Sequence, residues 1–297
     1  MNVKKWEKAA FISFWILLFL AAVSLVFPSA VRFREKKFRT AFFSGDNVPK
    51  IQKITLSGAG ISLSLEKTAH FWRGELSDSR IFLADAAAIQ SFLNVLSKIR
   101  DASVVSERAE HWQALGVDEA SAFAVRIAWG DDFSETAEVF FGKEGVGNSR
   151  ISFRAGASAR VFQTENDISS FLQTDPSFWA SPYVLSREGE DSPAENLQSA
   201  AFGSTVLFGT SLLQKADSLL SLRRGLVVAE KEEEGEASAV LSAEFVDGKK
   251  IQLSFFEGDE LFFVKTQTAW NDGEKIVFWY EISRWTYDKI SEIFLCQ

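Results

Sequence analysis

The chain has 297 residues, 46% of them apolar and 24% charged, a globular composition that excludes a disordered or fibrous class. Its net charge of −8 is uneven: residues 1–39 carry eight Lys/Arg against two Glu, and the remainder carries 24 basic against 38 acidic residues. The acidic body therefore lacks the basic face that neutralises phosphates, which argues against nucleic-acid binding.

The length asks for one large or two smaller domains. Phe and Trp dominate the aromatics, with 28 and 9 residues, and suit a core between sheets and helices. The single cysteine, Cys296, forbids an internal disulfide and says nothing about redox compartment.

Ala9 to Phe27 is an apolar run without a charge. As a helix it would be about 28 Å long, enough to cross a bilayer core of roughly 30 Å. A cleaved signal peptide competes with this reading, but its apolar region is normally shorter, and a cut after Ala30 would place Pro28 at the −3 position. A buried soluble helix would not be apolar on every face. We therefore expect an uncleaved anchor, with the lipid bilayer as its partner. Counting Lys and Arg on the C-terminal side, Arg32 to Arg39, would put the body in the cytoplasm. The short basic tail before the span and the acidic body argue for export. The expected arrangement is a single pass through a bacterial cytoplasmic membrane, with an extracytoplasmic body. Arg32 to Arg39 is then either a contact to anionic headgroups or a solvated helix extension.

Beyond the span, Ile54 and Leu56, then Ile61, Leu63 and Leu65, alternate with polar residues around Gly58 and Gly60, which predicts a hairpin. His70 to Leu76 predicts a third strand. In "AIQSFL", Ala88 to Leu93, the apolar residues Ile89, Phe92 and Leu93 fall on one helix face, continued by Leu96 and Ile99. Ala109 to Val117 reads as a short helical turn. Val125, Ile127 and Trp129 alternate, Gly130 to Asp132 turns, Ala137 to Gly142 returns, Gly145 to Asn148 turns, and two more strands follow. "DISSFL", Asp167 to Leu172, repeats the helical word with Ile168, Phe171 and Leu172, and Thr164 with Asp167 resembles a capping box.

Ser186 to Ser199 lacks apolar periodicity and reads as a linker. Thr210 to Gly225 predicts a helix with Leu212, Leu213, Ala216, Leu219 and Leu220 on one face and Gly225 as its stop. Glu230 to Ser238 is a charge run typical of a solvated loop. A last meander turns at Asp247-Gly248, Gly258-Asp259 and Asp272-Gly273, and closes on the third copy of the word, "KISEIF", Lys289 to Phe294, with Ile290, Ile293 and Phe294.

The expected fold is α+β: an N-terminal transmembrane helix, then repeated antiparallel β-meander plus helix modules, with the helix stripes packed on the meanders. The expected domains are residues 1–39 (tail, span and basic segment), 46–185 (proximal) and 196–297 (distal).

No catalytic, cofactor or metal signature appears. His70 and His111 are the only histidines, and neither has a ligand-type residue at i+3 or i+4. Gly142 to Ser149 has its Lys ahead of its later glycines and leads into a strand, so it reads as a hairpin rather than a phosphate loop. The carboxylates of Trp129 to Phe133 sit at a turn tip and point apart. Phe208 to Leu212 lacks the second glycine of a nucleophile elbow.

The order of Val48 to Leu76, Leu83 to Ile99, Trp112 to Trp129, Val139 to Glu144 and Arg160 to Leu172 resembles bacterial proteins with domain of unknown function 4340. Trp72, Ala84-Asp85, Leu115-Gly116-Val117 and Phe141-Gly142 stand where that family has its packing and turn motifs; Trp112 stands near its usual Tyr, a departure. The resemblance implies a single-pass envelope protein of a kind often encoded beside gliding-motility-type ABC transporter components, an ATPase, a permease and a large auxiliary subunit, with the permease or the auxiliary subunit as the expected partner. It implies no catalytic residues. The expected role is a non-enzymatic, membrane-anchored accessory or scaffold subunit of an ABC-type transport or envelope system. A cell-envelope glycan-binding module or hydrolase is the alternative.

Overall fold

Two antiparallel sheets carry the structure, a computed structural model that describes residues 45–99, 102–130, 133–144, 150–165, 167–185, 194–230 and 235–295. The expected span Ala9 to Phe27 and the basic segment to Arg39 lie outside the described residues. Among the described residues, no helix is long and apolar enough to cross a membrane.

The first sheet has strands β1 (Ile51–Gly58), β2 (Ile61–Lys67), β3 (Trp72–Leu76), β4 (Ile81–Ala84), β5 (Ser103–Ser106), β6 (Phe123–Trp129), β7 (Glu135–Glu144), β8 (Arg150–Ala155) and β9 (Val161–Glu165). Their order is β4-β3-β2-β1-β6-β7-β8-β9-β5. Period-two alternation decides which face each strand buries. Ile54 and Leu56 of β1, Leu63 and Leu65 of β2, and Val125 and Ile127 of β6 are fully buried. On the other face, Lys53 meets Glu66 at 3.4 Å and Arg126 meets Glu138 at 2.8 Å, each pair directly opposite across neighbouring strands. The β1–β2 turn is Ala59-Gly60, with φ of 51° and 80°, the two left-handed residues that a two-residue hairpin of this twist demands.

Helix α1 (Ala86–Ser97) covers this sheet with Ile89, Phe92, Leu93 and Leu96, and the Asp85 carboxylate caps it by accepting from the Ala87 N–H at 2.9 Å. The next helical pieces are single turns, α2 (Trp112–Leu115) and α3 (Pro176–Trp179).

The second word departs from expectation. Asp167 to Leu172 forms only a 3-10 turn, Ser169–Phe171, and no side chain caps it. Three residues separate Leu172 from Pro176, so an α-helix here would be halted within about two turns, too short to be stable alone. Leu172 instead leaves the helical region (ψ 64°), and α3 starts at Pro176 under an Asp175 cap. Ile168 is buried, whereas Phe171 and Leu172 are half-buried.

The second sheet has β10 (Leu197–Phe202), β11 (Thr205–Phe208), β12 (Val227–Val228), β13 (Ala239–Phe245), β14 (Lys250–Glu257), β15 (Leu261–Ala269) and β16 (Lys275–Ser283), in the order β11-β10-β13-β14-β15-β16-β12. The expected linker therefore ends sooner than Ser199, because Leu197 already pairs with Phe245. Helices α4 (Gly209–Leu220) and α5 (Arg284–Leu295) cover one face through Leu212, Ala216, Leu219, Leu220, Ile290 and Phe294. Helix α4 ends at Leu220, five residues short of the expected stop. Gly225 serves another purpose: its N–H donates to the Glu281 carbonyl at 2.6 Å, and a Cβ there would lie 2.9 Å from that oxygen.

A zipper of backbone hydrogen bonds joins the sheets. Ser181 N–H donates to Leu83 O at 2.9 Å, and Asp85 N–H donates to Trp179 O at 2.7 Å, which seats Trp179–Ser181 on the β4 edge. Val184 N–H donates to Leu222 O at 2.9 Å, and Arg224 N–H to Pro182 O at 3.0 Å. Leu226 O then accepts from Glu281 N–H of β16 at 2.9 Å. Buried residues of both sheets form one contiguous apolar cluster.

Candidate functional site

Three places on this frame concentrate chemistry or exposed apolar surface: the seam, a buried arginine, and the outer edge of the second sheet.

At the seam, the Arg224 guanidinium donates to the carbonyls of Ser181, Ala180 and Gly225. Burial pulls its pKa down, opposed by Tyr280, Asp175 and Asp85. Tyr280 is fully buried; its hydroxyl donates to Val184 O at 3.1 Å, and burial pushes its pKa far up. His70, in the β2–β3 turn, meets Asp272, in the β15–β16 turn, with Nε2 2.7 Å from Oδ2. The partner stands 202 residues away in sequence, which is why no spacing rule finds it. His111 has a local role: its Nδ1 lies 2.8 Å from Ser106 Oγ, which also accepts the Arg108 N–H.

Arg154 was not singled out in the sequence, yet it is 1% exposed. Its Nε donates to Val117 O at 2.6 Å, and another N–H donates to Gly156 O. The guanidinium lies 4.1 Å from the Trp112 ring centroid and 3.9 Å from that of Phe140. Burial lowers its pKa, with Glu119, Glu138 and Asp118 acting the other way. Two motifs meet beside it. Gly116 takes φ of 68°, and a Cβ on Gly142 would sit 2.4 Å from Leu115 O. Leu115-Gly116-Val117 and Phe141-Gly142 are thus the two sides of one close packing contact.

The other sequence motifs are not assembled into a reaction centre among the described residues. Asp131, Asp132 and residues 145–149 lie outside the described residues, as do Cys296 and residues 231–234 of the charge run. Ser211 Oγ donates to Phe208 O at 2.9 Å, a helix-start contact rather than a nucleophile's.

The outer edge of the second sheet is β11. Leu207 faces the core, and its neighbours Val206 and Phe208, on the opposite face, are 55% and 69% exposed. On α4, which follows directly, Leu213 is also exposed, although the sequence placed it on the packed stripe with Leu212, Ala216, Leu219 and Leu220. Elsewhere, a polar cleft of about 580 Å³ lies between the end of α1 and the β8–β9 strands, with Lys98, Arg150, Gln163, Glu165 and Asp167 in its wall.

The fold defines the chain as a mixed α+β protein of two antiparallel sheets. No protein-family model, no curated protein and no solved structure matches it.

Proposed function

We propose that this chain is a non-enzymatic scaffold subunit of an ABC-type transport or envelope system, tethered by Ala9 to Phe27 in the cytoplasmic membrane with its body outside. The observation that carries this reading is the β11 edge. An edge strand offers unpaired backbone N–H and C=O groups, and natural proteins usually guard it with charge or proline. Here it presents Val206 and Phe208 instead. That combination suits a partner that adds a strand and inserts apolar side chains. The acidic body, the basic tail and the motif resemblance support the tether and the class of partner.

The test is a photo-crosslinker at position 208 of the full-length chain in its native membranes. An adduct with a permease or auxiliary subunit is expected, and Phe208→Lys should abolish the complex. Phe208 is exposed, so the same change should alter stability by no more than about 0.5 kcal/mol. A complex that survives Phe208→Lys overturns the docking reading. Labelling of Cys296 by a membrane-impermeant thiol reagent only after the inner membrane is broken overturns the topology.

The 580 Å³ cleft favours a second reading, an envelope glycan-binding module, since its wall mixes hydrogen-bonding and charged groups. Chemical-shift or fluorescence titration with peptidoglycan fragments, lost in Arg150→Ala, would support it over the scaffold.

A further inference from the structure

The geometry points to a divalent transition-metal site, best suited to Zn²⁺, formed by His70, Asp272 and Glu274 across the seam between the two sheets. One ligand atom from each of these residues falls within 4.8 Å of the others. The three come from two turns that are distant in sequence and each braced by its own hydrogen bonds. Thr68 Oγ1 accepts the N–H groups of His70 and Phe71. Asp272 Oδ1 accepts the Glu274 N–H at 3.1 Å, and Gly273, with φ of 90°, closes that turn by donating to Trp270 O. The His70 ring stacks on Trp270 at 5.4 Å and 7°, which orients the imidazole.

Two features ask for a cation. Asp272 and Glu274 place two carboxylates beside one imidazole, a charge that a divalent ion would balance. Glu274 Oε2 is closed off from solvent and has no hydrogen-bond partner among the described residues. A shielded carboxylate oxygen without a donor is costly, and a metal bond removes that cost. The mixed nitrogen and oxygen set favours Zn²⁺ over Ca²⁺ or Mg²⁺, which take oxygen ligands.

Metal entry replaces one hydrogen bond. A zinc ligand must be a neutral imidazole, so on binding the ring proton would sit on Nδ1, any second proton would leave to solvent, and the Nε2 lone pair would become the ligand. Ligand atoms around tetrahedral zinc stand about 3.3 Å apart, so the 2.7 Å His70–Asp272 contact must open slightly. The bound ion would pin the β15–β16 turn to the β2–β3 turn. This site is independent of the β11 edge.

The experiment uses the tag-free full-length chain in mild detergent, stripped with chelator and titrated with Zn²⁺ by calorimetry and with Co²⁺ by visible absorption. One Zn²⁺ per chain, N/O-type Co²⁺ bands and a metal-dependent rise in Tm are expected. His70→Gln, Asp272→Asn and Glu274→Gln should each weaken binding by at least about tenfold. Glu274→Gln removes only an unpartnered charge, so its metal-free Tm should equal or exceed the wild type's, which separates lost binding from lost folding. Absence of stoichiometric binding, or Zn²⁺ binding undiminished in Glu274→Gln, overturns the proposal.

Discussion

The two sheets solve the same problem by different means. In the second, β13 to β16 are neighbours in sequence and in space, and α5 returns directly onto the meander, burying Ile290 and Phe294. In the first, β1 pairs with β6 across the intervening α1, β5 closes the far edge, and the stretch that should have mirrored α5 is a 3-10 turn followed by α3. There Trp179, fully buried, replaces the missing helix: its ring packs edge-on to Phe92 at 5.6 Å, and its indole N–H donates to Gln173 O at 2.9 Å. One large side chain and a cap can thus substitute for two helical turns, provided that a neighbouring sheet holds the segment in place.

If the two sheets form one cooperative body, damage at Trp179 should be felt in both. Trp179→Ala is expected to lower stability by about 3–5 kcal/mol, read from urea unfolding of the full chain in detergent by far-UV dichroism and fluorescence. One shifted transition fits a joined body. A split into two transitions, only one of them moved, would break the comparison.

The repeated word gives a sharper contrast. Phe294, 1% exposed, should cost about 3–5 kcal/mol on truncation to Ala. Phe171, half-buried against Phe92 and Trp179, should cost only about 1–2 kcal/mol in the same assay. Equal costs would mean that the turn packs as tightly as the helix.

Arg224→Ala tests the zipper itself. Loss of charged hydrogen bonds to backbone carbonyls on both sides should cost about 1.5–3 kcal/mol and broaden the transition. Arg224→Lys should recover only part, because an ammonium cannot reproduce the guanidinium fork.

The smallest effect lies on the surface of the first sheet. The Arg80 guanidinium, 2.8 Å from Asp78, holds that carboxyl below its ordinary pKa by hydrogen bonding, with burial acting against it. A depressed folded-state pKa gives stability that is present above the unfolded value near 3.9 and is lost as pH falls through the folded value. Asp78 is largely exposed, so solvent screening should hold the contribution below about 0.5 kcal/mol. Asp78→Asn should therefore be slightly less stable than the wild type above about pH 4, and the difference should vanish in acid unfolding as pH falls through the folded value.

Local pattern was a sound guide wherever one element decides its own conformation. The Asp247-Gly248, Gly258-Asp259 and Asp272-Gly273 turns, the β1–β2 hairpin and the stripes of α1, α4 and α5 were legible because a period of two or 3.6 and a turn residue are properties of a short segment. The short strands β4, β5 and β11 carried too few residues for a period to register, and the linker reading ran over Leu197 for the same reason. At the candidate sites, the exposure of Phe208 could not be read from a five-residue motif, because it depends on β11 being the last strand of its sheet.

The sequence by itself thus determined composition, the uneven charge, the apolar run at Ala9 to Phe27 and the identity of most strands and helices. Only the tertiary structure decided that Asp167 to Leu172 would not become a helix, that Gly225 lies against β16 rather than ending a helix, and that His70 faces Asp272 and Glu274. The reason is physical. Periodicity encodes which side of an element is apolar, whereas partner choice arises from packing and hydrogen bonding between segments whose separation in the chain, 202 residues for His70 and Asp272, leaves no local trace.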